Sequence, residues 1–149
     1  MVAHRAGEPV AQRALAFLVD AVSVRDPDIS SSPGSDGVGW ASCELSSSRD
    51  VASSMDDLER ALLADPVKVW PVFLAVNTRP DMVKDMIRWG LDQGGPDALS
   101  RCDAFVEISL SGVIDWAIVR AVCEAAVEMW SAVLRADGSG FDVTLADLP

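Results

Sequence analysis

One stretch limits the possible folds more than any other. After Pro71, the run Val72-Phe-Leu-Ala-Val76 contains no polar side chain. It is too short for a helix of ordinary length, and an unbroken apolar run of this size reads as a strand covered on both faces. The sequence predicts a strand over Val67 to Val76, with Pro71 marking a bulge or the true start of a central strand. Such a strand must lie inside a layered structure. The chain has the material for one, with 149 residues of which 50% are hydrophobic. That is the size of one domain with its own core.

Periodicity on either side fills in the layers. Pro9 suits a first helical position. Val10, Ala14, Leu18, Ala21 and Val22 then share one face, with Arg13, Asp20 and Ser23 opposite, so a helix is expected from Pro9 to about Val24. Arg25-Asp-Pro27 ends it. Residues 26–37 have the composition of a mobile loop, and 1–7 that of a disordered tail. A strand is expected over Val38 to Leu45. A helix follows over Asp50 to Ala64, with Val51, Met55, Leu58 and Leu62 as its stripe and Pro66 closing it.

Beyond the central strand, Asn77-Thr-Arg-Pro80 turns the chain into another helix, and Thr78 with Asp81 resembles a capping box. Met82, Val83, Met86, Ile87 and Leu91 give this helix one face, and Lys84, Asp85, Arg88 and Asp92 the other. Gly94-Gly95 stops it, with a short extra turn over Pro96 to Arg101. Ala104, Val106, Ile108 and Leu110 alternate with Phe105, Glu107 and Ser109 as a strand with one buried face would. The longest helix is expected from about Val113 to Ala136. Phe141, Val143 and Leu145 suggest a final edge strand. The expected architecture is a single layered α/β domain: an N-terminal helix, then β-α-β-α-β-α-β with a long penultimate helix and some parallel pairing. An α+β sandwich with antiparallel strands is the alternative.

Charge narrows the partners. Asp and Glu number 23 against 12 Lys and Arg, a net charge of −11. Such a chain is repelled by phosphate backbones and anionic lipid, so direct nucleic-acid or membrane-surface binding is not expected. A protein partner, basic in character, or self-association fits better. No window reaches the ~20 apolar residues of a membrane span, and the N-terminal residues lack the apolar run of a secretory signal. A cytoplasmic location is expected.

Chemistry-bearing motifs are sparse. Cys43, Cys102 and Cys123 are widely separated and odd in number, which suits buried thiols rather than a disulfide framework. The single histidine, His4, lies in the tail, so neither histidine-based nucleophilic catalysis nor a zinc cluster is expected from an ordered core. There is no phosphate-binding glycine loop and no G-x-S-x-G elbow. Asp56, Asp57 and Glu59 complement a helix N-terminus, and Asp103 and Glu107 read as solvated charge. No cofactor, metal or catalytic residue is assigned.

Two places stand out. Asn77, Thr78 and Arg79 lie at the carboxyl end of the central strand, where open α/β sheets hold ligands; Arg79 and free helix amides there could bind an anion. Asp115, near the start of the long helix, joins them as a candidate ligand-binding residue. Turn and cap chemistry is the plain account of all four. The second place is the long helix itself. Ile114, Ile118, Ala121, Val122, Ala125, Met129 and Val133 form a core face, while Trp116, Cys123, Val127, Trp130 and Leu134 form a second apolar flank. Either another layer of the protein covers that flank or a partner does.

These features favour a small acidic protein-interaction module, either an immunity or antitoxin-type inhibitor or a subunit that dimerises through the long helix. The alternatives are a small-molecule or anion-binding domain, with an enzyme among its forms, and a nucleic-acid mimic.

Overall fold

The computed structural model describes residues 10–48 and 71–149. The fold is α+β: three α-helices and a four-stranded, wholly antiparallel sheet among the described residues. In chain order these are α1 (Val10–Arg25), β1 (Ile29–Gly37), β2 (Trp40–Ser47), β3 (Val72–Asn77), α2 (Pro80–Asp92), β4 (Phe105–Ser109) and α3 (Trp116–Trp130). Short 3-10 turns occupy Asp97–Arg101 and Leu145–Asp147. The strands lie side by side in sequence order. The tail at 1–7, His4 and the helix expected over Asp50 to Ala64 lie outside the described residues, as do residues 67–70 of the expected central strand.

Helices α1 and α3 pack against each other and on one face of the sheet. Alternation along the strands sends Ala41, Cys43 and Leu45 of β2, Val72, Leu74 and Val76 of β3, and Val106 and Ile108 of β4 to that face. Helix α1 meets them with Ala11, Ala14, Leu15, Leu18 and Val22, and α3 with Ile118, Ala121, Val122, Ala125 and Ala126. The alanines let the two helix axes approach closely while the leucines and valines fill the layer beneath. On the reverse face Ala75, Asn77 and Ser42 are also buried. The apolar run of β3 is therefore covered on both sides, as its composition requires.

Parallel pairing does not occur among the described strands. Its absence follows from what lies between β3 and β4. Helix α2 carries the chain out, and the turn at Gly94-Gly95 folds Asp97–Arg101 back against it, with Gly95 N–H donating to Gly90 O at 2.8 Å. A Cβ on Gly90 would stand 2.9 Å from Leu99 Cδ1 and 3.2 Å from Phe141 Cζ, so the small residue lets these two side chains pack close against the helix. The out-and-back path delivers the chain to the end of the sheet it left. Phe105 consequently pairs with Asn77, and β4 runs antiparallel to β3.

Three further expectations need correction. Residues 29–37, read as part of a loop, form the edge strand β1, whose side chains are exposed except Ile29. Its serines, proline and glycines carry no strand signal because the strand is held by its backbone ladder to β2. The long helix ends at Trp130 rather than Ala136, with Ser131 in the left-handed region at φ 52°. Ser131 N–H donates to Val127 O at 2.9 Å, a left-handed cap that closes the helix after fifteen residues, about 22 Å. The expected strand at Phe141 to Leu145 is a turn leading into the 3-10 turn Leu145–Asp147. There Ala136 and Gly140 exchange hydrogen bonds at 2.9 and 2.8 Å, and Phe141 reaches back to Gly90 and Gly95.

Candidate functional site

The turn at the carboxyl end of β3 is built from its own polar groups. Asn77 is buried, and its Oδ1 accepts from Arg79 N–H at 3.0 Å. Thr78 N–H donates to Gly39 O at 2.8 Å, and its hydroxyl donates to the same oxygen at 3.4 Å. These bonds tie the start of α2 to the β1–β2 hairpin. Arg79 is the N-cap of α2 by backbone position, without a side-chain cap, so Thr78 and Asp81 form no capping box. Asp81 instead accepts from Arg79 Nη2 at 3.3 Å, in a pair whose side chains are half or more exposed. Thr78 is drawn to Gly39 because the hairpin turn presents its carbonyl there, which sequence spacing along one helix does not reveal.

Asp115 sits elsewhere. Asn77 is level with Phe105, the first residue of β4, while Asp115 follows Ser109, the last. The structure therefore places the two parts of the expected ligand site beyond opposite ends of one strand. Asp115 is buried and is the N-cap of α3, its Oδ1 accepting from Ala117 N–H at 3.1 Å. This is the helix-terminal role that a carboxylate before an apolar helix performs.

The second apolar flank of α3 is drawn largely into the fold. Cys123 is buried and Trp130 packs against the main core. Val127 is half-buried, and so is Leu134, which lies past the end of the helix. Trp116 remains 37% exposed, and Met129, expected in the core, is 38% exposed. The helix is rotated so that Val119, Cys123 and Ala126 are covered along with Ile118 and Val122. At its polar edge Arg25 of α1 pairs with Glu128 and, at 3.6 Å, with Glu124. Arg120 pairs with Glu124 at 3.6 Å and also donates to the carbonyls of Leu145 and Leu148.

The exposed apolar surface lies instead on α2. Met82, Met86 and Trp89, at positions that stack along one side of a helix, are 40%, 41% and 39% exposed. Val83 and Gly90 are buried and Ile87 is half-buried on the adjacent side, which packs on the Asp97–Arg101 turn and Phe141. The apolar arc of α2 is thus wider than its packing uses. Leu91, expected with the packed face, points away and is 38% exposed. The signal was present in the sequence: Trp89 falls outside the face that packs, one turn beyond Met86. Arg135 lies over the Trp89 ring at 4.2 Å and pairs with Asp137 at 2.9 Å.

The thiols are built as core groups. Burial pushes Cys43 up to about 11, with the neighbouring Glu44 adding to it; burial and then Glu124 raise Cys123. Among the described residues no three His, Cys, Asp or Glu side chains are grouped to hold a metal ion, and no helix is long and apolar enough to cross a membrane. Comparison with known proteins gave no matching family model, curated relative or solved structure.

Proposed function

We propose that the protein is a small acidic protein-interaction module, an inhibitor of the immunity or antitoxin type whose partner is a basic protein. The observation that carries this reading is the disposition of charge. The chain has a net charge of −11. Arg25, Arg79, Arg120 and Arg135, four of the twelve basic residues, each stand against one of the chain's own carboxylates, which leaves the excess of 23 acidic over 12 basic residues unbalanced. The outward field is negative, which speeds encounter with a basic surface and disfavours acidic ones.

The anion-binding alternative has less support, because Arg79 N–H is occupied by Asn77 Oδ1 and the Arg79 guanidinium by Asp81. Self-association through the Trp116 flank also has less, because Cys123 is buried and Trp130 packs against the core. The test is affinity capture at low salt on the immobilised protein. A basic protein should be retained, should elute as ionic strength rises past about 0.5 M, and should lose its own activity when the free chain is added. Retention of no basic protein, or of one whose activity the chain leaves unchanged, refutes the proposal.

A further inference from the structure

We infer that the Met82–Met86–Trp89 side of α2 is the docking surface for a basic amphipathic helical segment of the partner protein, an inference that rests on the interaction reading above. The surface has two adjoining parts. Met82, Met86 and Trp89 form an apolar row some 40% exposed at each residue. With about 100° between successive residues, Asp81, Asp85 and Asp92 fall together on the flank immediately beside that row, Asp81 already paired with Arg79 and Asp85 and Asp92 left to face a partner. Lys84 and Arg88 fall further round, towards the side away from it. All five charged residues are exposed. An apolar row bordered by aspartates is complementary to a helix that carries an apolar stripe bordered by Lys or Arg, and it is poorly matched to an acidic or neutral one.

The side chains suit the role. Methionine is unbranched and polarizable, so two of them one turn apart can adjust to the partner's apolar residues, and tryptophan supplies a rigid anchor. The Arg135 guanidinium already holds one face of the Trp89 ring, and Asp137 balances its charge, so the indole is fixed before any partner arrives. Fixing it beforehand reduces the ordering cost of binding.

Helix α2 also differs here from the other helices. In α1 and α3 the exposed large apolar residues are scattered: Phe17 and Val24 on one, Trp116 and Met129 on the other. Only α2, among the described helices, presents three in a continuous row.

The probe is a synthetic helical peptide of about 18 residues with leucine and lysine at amphipathic spacing, and a counterpart with glutamate in place of lysine. By fluorescence anisotropy the lysine peptide should bind the intact chain and the glutamate peptide should not. Chemical-shift changes should centre on the Met82 and Met86 methyls and the Trp89 indole. Met82→Ser with Met86→Ser, which leaves charge unchanged, should weaken binding about tenfold or more. Phe17→Ser with Val24→Ser on α1 should leave it as it was. A second pair, Asp85→Lys with Asp92→Lys, should abolish binding without altering the apolar row, and circular dichroism of each variant checks its fold.

Equal binding of both peptides, or equal weakening by the α1 pair, overturns the inference. Binding of the lysine peptide that the methionine pair leaves unchanged overturns this location but leaves the basic-partner reading standing. Absence of lysine-peptide binding counts against both.

Discussion

Asp115 shows what a single carboxylate does at the start of a helix. Its Oδ1 satisfies the Ala117 amide at a point where α3 has no preceding turn to do so. Asp115→Ala should lower stability by about 1 kcal/mol, whereas Asp115→Asn, which keeps the acceptor, should cost much less. Chemical denaturation of the two variants reads the difference directly, and equal losses would show that charge rather than capping matters. The thiols give a second expectation at this scale. With their pKa values raised by burial, Cys43 and Cys123 hold little thiolate at neutral pH. A thiol reagent at pH 8 should modify half-buried Cys102 first and the other two only as the chain unfolds.

At the scale of elements, the C-terminal turn has a pH dependence of defined sign. Thr144 N–H and hydroxyl both donate to Asp147 Oδ2, at 2.6 and 2.9 Å, and these bonds hold the Asp147 carboxyl below its ordinary range. A carboxyl lowered on folding contributes stability that is present above its unfolded pKa and is lost as pH falls through the folded value. Protection of the amides over residues 144–148, taken relative to their intrinsic exchange rates, should therefore fall in acid, and Asp147→Asn should remove that acid dependence. A wild-type profile flat through the carboxylate range would contradict the assignment.

The elements also separate what was legible in the sequence from what was not. Helix α1 and the alternation of β4 were readable because each covers a face of regular period, and β3 because its apolar run is covered on both sides. Helix α2 was readable from its amphipathic period, although only Val83 and Gly90 of it are buried. The strand β1 was not, since its side chains bury almost nothing and its pairing depends on β2, distant from any local pattern. The end of α3 was missed because Val133 and Leu134 continue its apolar period. The chain leaves helical geometry at Ser131, which takes the left-handed conformation and donates its N–H to Val127 O. Of the expected site residues, Asn77, Thr78, Arg79 and Asp115 all take part in turn or cap hydrogen bonds. The α2 row went unassigned because periodicity gives an apolar arc without saying how much of it neighbours will cover.

For the whole molecule, the sheet is closed on one face by two helices and bounded along one side by β1. That strand carries an irregularity between Pro33 and Asp36, where Gly34 and Ser35 stand opposite Ser42 alone. Ser42 Oγ accepts from Ser35 N–H at 3.0 Å and donates to Ser35 O at 3.1 Å, replacing the ladder bonds that the extra residue interrupts. A Cβ on Gly34 would lie 2.5 Å from Ser42 Oγ and 2.7 Å from its carbonyl oxygen. Gly34→Val should accordingly destabilise the fold by roughly 1–3 kcal/mol, seen as a lower denaturation midpoint, and an unchanged midpoint would mean the hairpin can slide to relieve the contact.

The same irregularity governs how the molecules behave towards one another when crowded. A strand from a second copy aligning along β1 meets, partway, a proline with no N–H and a bulge that breaks the regular register of the strand. A ladder begun at one end of β1 cannot be copied to the other. The protein can thus expose a sticky row of methionines on a helix without also offering, along this side of its sheet, a template for fibrils.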